Sequence, residues 1–204
     1  MTILNLQEWF GSIDIYLFDQ LLKGRFTPEM QILDAGCGGG RNLTYFLRSG
    51  YNICGVDQST EAIAQIRALA SALAAHLPPE NFRVEPVEAM SFADLSFDVV
   101  LSSAVLHFAR NEDHWQGMLR EMWRVLKPGG ILFARLASTV GIENKVEHLE
   151  GRRYHLPDGS DRFLVDEQML LATTAALNAE LIEPLKSVVV QNMRSMATWC
   201  LRKK

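Results

Sequence analysis

Cysteine is scarce. The 204 residues hold 3, at Cys37, Cys54 and Cys200, an odd number with no paired spacing, which excludes a disulfide framework and predicts free thiols. Apolar runs are short, and none approaches the roughly 20 residues of a membrane-spanning helix. The opening Met1-Thr2-Ile3-Leu4-Asn5 lacks the basic segment and apolar core of a secretion signal, so a cytoplasmic location with no membrane partner is expected. Positive charge is not in excess. Lys and Arg total 20 against 24 for Asp and Glu, a net charge of −4, and the basic residues are scattered, so a nucleic-acid partner is not expected. Arg202-Lys203-Lys204 reads as a solvated tail. The 5 histidines show no His-x-x-x-His spacing, and no metal is expected. Internal repeats and breaks in composition are also missing. With 48% hydrophobic residues, the chain is long enough for a single domain over 1–204 with a full core.

The most informative segment is Ile32-Leu33-Asp34-Ala35-Gly36-Cys37-Gly38-Gly39-Gly40-Arg41-Asn42. An apolar strand runs into a glycine turn and then into a helical pattern. Glycines there let the main chain approach a ligand, and the following helix offers unpaired N–H groups. A dinucleotide fingerprint would need Gly-x-Gly-x-x-Gly, but Arg41 stands three residues after Gly38. The pattern is Asp-x-Gly-x-Gly-x-Gly.

Further motifs follow in order. Tyr51-Asn52-Ile53-Cys54-Gly55-Val56-Asp57 reads as a second strand ending in an acid able to accept both hydroxyls of a ribose, with Gln58 beside it. Residues 82–89 read as a third strand ending at Glu88-Ala89-Met90. Residues 96–107 read as a fourth strand, through Ser102-Ser103-Ala104, and its following loop to His107. Last comes Arg124-Val125-Leu126-Lys127-Pro128-Gly129-Gly130-Ile131-Leu132-Phe133. This ordered set resembles the class I S-adenosylmethionine-dependent methyltransferases, closely over residues 30 to 137 and loosely elsewhere. Gly-Arg-Asn after the glycine loop resembles small bacterial, single-domain members of that class.

The resemblance implies a Rossmann-like, three-layer α/β fold: a mostly parallel seven-stranded sheet, its final strand antiparallel, with helices on both faces. The alternation of strand and helix patterns independently implies a parallel sheet covered on both sides. The chain then divides into an N-terminal helical lid (1–29), a cofactor-binding core (30–137), a polar hairpin insertion near the substrate (138–165) and a C-terminal helix with a strand hairpin (166–204). In the insertion, Pro157-Asp158-Gly159 supplies turn chemistry between two short strands.

S-adenosylmethionine is the cofactor that the resemblance implies. Its candidate contacts are Asp34, Gly36, Cys37, Gly38, Arg41, Asp57, Gln58, Glu88, Ala89, Met90 and Ser102, with Glu88 placed where the family binds the adenine amino group. Tyr16, Gln20, Ala104 and His107 are the candidate substrate contacts, and His107 is also the candidate catalytic residue, as base or orienting group. His114, His148 and His155 read as surface residues, and Arg152 and Arg153 as a solvated pair or a fork for an anion. Methyl transfer by in-line displacement mainly requires alignment. Methyltransferases acting on nucleobase amines commonly show Asn or Asp before Pro-Pro-Tyr after the fourth strand; Ser102-Ser103-Ala104-Val105 stands here instead. A small-molecule acceptor is therefore expected, with the oligomeric state open. A non-catalytic S-adenosylmethionine-binding protein and a nicotinamide-dependent oxidoreductase are the alternatives.

Overall fold

The computed structural model describes residues 5–204; residues 1–4, part of the expected lid, lie outside the described chain. Five strands pair in parallel: β1 (Gln31–Ala35), β2 (Asn52–Asp57), β3 (Phe82–Val84), β4 (Phe97–Ser103) and β5 (Leu126–Ser138). After β5, β6 (Glu147–Glu150), β7 (Arg153–His155) and β8 (Asp161–Phe163) form a separate antiparallel sheet. β9 (Ala179–Leu181), β10 (Lys186–Val190) and β11 (Arg194–Lys203) close the chain. The main sheet runs β10-β11-β5-β4-β1-β2-β3, with β11 antiparallel to both of its neighbours. β9 lies on the same side of β11 as β10, so two short strands share one edge.

Successive strand residues face opposite layers, and both layers are filled. Leu33, Val100, Leu132 and Leu201 share one register row. They pack with Trp115, Met118, Leu119 and Met122 of α5 (Glu112–Val125) and with Leu170 of α6 (Glu167–Ala176). One residue earlier along the parallel strands, Ile32, Val99 and Ile131 face the other way. They meet Leu17, Phe46, Leu47, Ile63 and Ile66. Those five come from α2 (Ile15–Leu22), α3 (Thr44–Arg48) and α4 (Thr60–Leu73); a short α1 (Leu6–Phe10) precedes them. The apolar residues of α5 recur at three- and four-residue intervals, and its first turn is capped by Asn111, which accepts from His114 N–H. Asp166 caps α6 in the same manner.

Prolines account for several departures from the sequence reading. The third strand ends at Val84 rather than Ala89, because Pro86 has no N–H for the ladder. Pro184 likewise divides the apolar run 182–190, and β10 begins only at Lys186. At Lys127-Pro128-Gly129-Gly130 no loop separates α5 from β5. The chain enters β5 directly at Leu126, opposite Phe97, and the next aligned pair is Ile131 with Val99, so the intervening residues bulge out of the ladder. The insertion is a three-stranded sheet rather than a hairpin, since β6 also joins.

Candidate active site

Parallel strands bring the carboxyl ends of β1, β2, β4 and β5 to one edge, the place where such sheets bind ligands. Three cavities adjoin there, and Ala104 lines all of them. Ala104 has φ +65°, uncommon for a residue with a Cβ. Its N–H donates to the Arg135 carbonyl at 2.7 Å, which fixes the end of β4 against β5.

The first cavity, about 320 Å³, lies between Gly36, Asp57, Gln58, Pro86, Val87 and Glu88 on one side and Val105, Phe108 and His114 on the other. Gly36 has φ +85°, and a Cβ on it would come within 2.4 Å of Val105 Cγ2, so only glycine fits. Asp57 holds the turn together: Oδ2 accepts from Gly38 N–H at 3.0 Å and Oδ1 from Ser59 N–H at 2.9 Å. Glu88 lies on the same side. His114 Nε2 is 2.9 Å from its carboxylate, a close approach without hydrogen-bond alignment, and Arg110 lies at 3.6 Å.

The second cavity, about 620 Å³, is bounded by the glycine loop, Arg41, Asn42 and Ser103, with Gly11 and Ser12 of the N-terminal segment overhead. Gly40 takes φ +85° and closes against α4, where a Cβ would meet Ile66 Cδ1 at 2.2 Å. Beneath the loop Asp34 is fully buried, and its Oδ2 has no partner among the described residues. Burial, with a smaller push from Asp57 and against the pull of Arg41, raises its carboxyl to about 7. Cys37 is buried as well, and burial drives its thiol far above the usual range. It is no nucleophile.

The third cavity, about 270 Å³, is walled by Arg41, His107, Arg135, Leu156, Asp158 and Arg162, with Asp14, Arg194 and Met196 completing the rim. His107 is buried, and its Nδ1 accepts from Ala137 N–H at 3.3 Å. Burial, helped by Arg162, depresses its pKa to about 4. The ring is therefore neutral at pH 7 with its proton on Nε2. That tautomer can donate to a ligand from Nε2 but cannot take a proton there, which corrects the expectation of a general base.

The structure gathers Asp34, Gly36, Cys37, Gly38, Arg41, Asp57, Gln58 and Glu88 in or directly beneath the first two cavities, and Ala104 and His107 at the third. Five expected contacts lie elsewhere. Past Pro86 the chain turns, so Ala89 faces outward and Met90 enters the core, where its N–H donates to Glu121. Ser102 is completely buried within the sheet, and the next residue, Ser103, lines the cavity in its place. Gln20 is spent on Asp19, Glu183 and Arg25, away from the cleft. Tyr16 lines none of these three cavities but lies under the Arg135 guanidinium, 4.4 Å from its ring centre. Arg152 pairs with Glu112 and Asp166 instead of a ligand. His114, expected at the surface, belongs to the first cavity.

Arg135, Arg162, Arg194, Asp14 and Asp158 were not foreseen. Only Arg135 had a readable signal, a cation inside the apolar run 131–137 of a buried strand. A larger hollow of about 860 Å³ separates α5 from α6, but helices rather than strand ends wall it. Among the described residues no cluster of three or more metal-ligating side chains occurs, and no helix is long and apolar enough to cross a membrane.

The first two cavities fit the implied cofactor. The carboxylates of Asp57 and Glu88 line the first, and the partnerless Asp34 oxygen lies beneath the glycine loop that bounds the second. Residues 33–134 match the methyltransferase domain family. The chain is 32% identical over 161 residues to EEF1A lysine methyltransferase 4 of Mus musculus, covering 72% of this chain and 60% of that protein. It is 31% identical over 180 residues to the arsenite methyltransferase of Aquipseudomonas alcaligenes, covering 74% of this chain and 50% of that one. Among solved structures, the 1,6-didemethyltoxoflavin-N1-methyltransferase of Burkholderia thailandensis, bound to its substrate and S-adenosylhomocysteine, superposes with TM-score 0.72 at 19% identity. That match covers 98% of this chain and 81% of that one. The chain belongs to the class I S-adenosylmethionine-dependent methyltransferases. It spans 50% to 60% of the length of these two curated relatives.

Proposed function

We propose that the protein transfers a methyl group from S-adenosylmethionine to a small-molecule acceptor in the cytoplasm. The observation that carries this reading is the juxtaposition, across Ala104, of a glycine-and-carboxylate cleft with a separate polar cavity small enough to enclose a compact acceptor. S-adenosylmethionine supplies an electrophilic methyl on a sulfonium; the acceptor's lone pair bonds to that carbon while the carbon–sulfur bond breaks and sulfur keeps the pair. In this reading Asp57 and Glu88 hold the two ends of the nucleoside. Asp34 and Arg41 serve the amino-acid end. His107 orients the acceptor through its Nε2–H. Orientation of this kind supplies roughly 7–11 kcal/mol of a bimolecular barrier. The relatives include enzymes named for a protein lysine and for arsenite, so the acceptor's size is the point to test. When a cell lysate separated by ultrafiltration is incubated with the protein and methyl-labelled S-adenosylmethionine, label should appear in the small-molecule fraction. Label confined to the protein fraction would refute the small-molecule reading.

A further inference from the structure

The third cavity has more donors than acceptors. Four guanidinium groups line it, from Arg41, Arg135, Arg162 and Arg194, against two carboxylates, from Asp14 and Asp158. Both carboxylates are already engaged. Asp14 Oδ1 accepts from the N–H groups of Tyr16 and Leu17, which caps α2, and its Oδ2 lies 3.1 Å from Arg135 Nε. Asp158 Oδ1 accepts from Ser160 N–H and Oγ, and its Oδ2 lies 3.8 Å from Arg194. The cations retain capacity. Arg135 is held by Asp14 on one edge and by the Tyr16 ring on its face, yet its Nη1 is buried with no hydrogen-bond partner among the described residues. Arg162 lies over the Phe108 ring at 4.8 Å and donates from Nη1 to the Asp161 carbonyl, with no carboxylate paired to it among the described residues. The ring of His107 adds a donor, because Ala137 N–H occupies its acceptor nitrogen.

A buried guanidinium nitrogen without a partner is costly in the empty pocket and is satisfied by an oxyanion, whose planar fork matches two parallel N–H groups. Resting on the methyltransferase reading above, we propose that the methyl acceptor carries a carboxylate or a comparable oxyanion, received by Arg135 together with Arg162. Arg41 is different, since it also lines the glycine-loop cavity and serves the donor's own carboxylate. The charge is a handle that places the nucleophile of the acceptor toward Ala104 and the donor beyond it.

Benzoate, benzamide and benzylammonium share a ring and differ in charge, so they read the preference directly. Titrated into protein saturated with S-adenosylhomocysteine, benzoate should bind at least about tenfold more tightly than benzamide, and benzylammonium more weakly than either. Arg135→Gln should abolish the advantage of benzoate; Arg162→Gln, at a half-buried position, should reduce it even if the first variant folds poorly. Benzoate binding no tighter than benzamide, or no measurable binding of any probe, overturns the proposal. So does a benzoate preference that survives both substitutions. A loss of S-adenosylhomocysteine binding in Arg135→Gln would assign this arginine to the donor and overturn it equally. Failure of the native protein to bind S-adenosylhomocysteine would instead sink the methyltransferase reading, and the three probes would still decide the anion preference in the cofactor-free protein.

Discussion

Asp57 performs two tasks with one carboxylate. It ties Gly38 and the start of α4 to the end of β2, and its remaining lone pairs face the first cavity. Asp57→Asn keeps one acceptor oxygen and the shape, but removes the charge and one of the two N–H contacts. Hydrogen bonds to a charged group contribute about 1.5–3 kcal/mol, so S-adenosylhomocysteine affinity should fall by roughly 10- to 150-fold while the melting profile stays cooperative. An unchanged dissociation constant by calorimetry would show that the ribose lies elsewhere. At this scale the sequence was readable wherever a backbone constraint and a motif coincide, as at Gly36, where Val105 leaves no room for a Cβ. It was unreadable wherever position depends on a turn. Ala89 and Met90 were expected at the site because a strand was extended past Pro86. His114 was missed because its partner Glu88 comes from a separate element, 26 residues earlier in the chain.

Among the elements, α5 and β8 are joined through aromatic stacking. Trp115 lies between Phe163 of β8, at 6.1 Å and 15°, and Trp199 of β11, at 6.4 Å and 19°. It is almost wholly buried, and its Nε1 has no partner among the described residues. Trp115→Ala should cost about 3–5 kcal/mol in urea unfolding, since the cavity opens among three elements that cannot all relax. Trp115→Phe should recover most of that loss, because it keeps a stacked ring and removes an unsatisfied N–H. Equal losses for the two variants would show that the indole nitrogen is satisfied in solution. The parallel strands were legible because burial on both faces makes them continuous apolar runs. The insertion's third strand was not, since Glu147, His148 and Glu150 are exposed and carry no apolar alternation.

For the molecule as a whole, two buried groups pull stability in opposite directions with pH. The folded protein holds His107 to about 4, below its ordinary 6.5. Between those values the unfolded chain takes up a proton that the folded one refuses, so this histidine lowers stability as pH falls, by up to roughly 3 kcal/mol. Asp34 is raised from 3.8 to about 7. Over that interval the folded protein keeps a proton that the unfolded chain has released. Its contribution is thus present below the unfolded value and lost as pH rises, by up to roughly 4 kcal/mol. The two slopes largely offset each other in the native protein and separate in variants. Relative to the native protein, Asp34→Asn should gain stability as pH rises from about 4 to about 7, whereas His107→Gln should lose its relative advantage as pH rises from about 4 to about 6.5. A difference that does not change with pH would mean that the side chain in question titrates as it does in water. The parallel sheet followed from alternation and its antiparallel final strand from the resemblance, whereas the shared edge of β9 and β10 depends on Pro184 and on pairing with the last strand, which no local pattern announces.

Ala104 is where the three cavities meet, and in the proposed reading the donor's and the acceptor's walls come largely from different stretches of chain. The donor side is built almost entirely before residue 119, whereas the acceptor side draws on β5, the 156–162 turn of the insertion, and the strands at the far edge. Such a division makes the catalyst modular. In that reading, exchange of the insertion would leave the glycine-loop cavities intact, so retargeting this protein is a matter of rebuilding one wall.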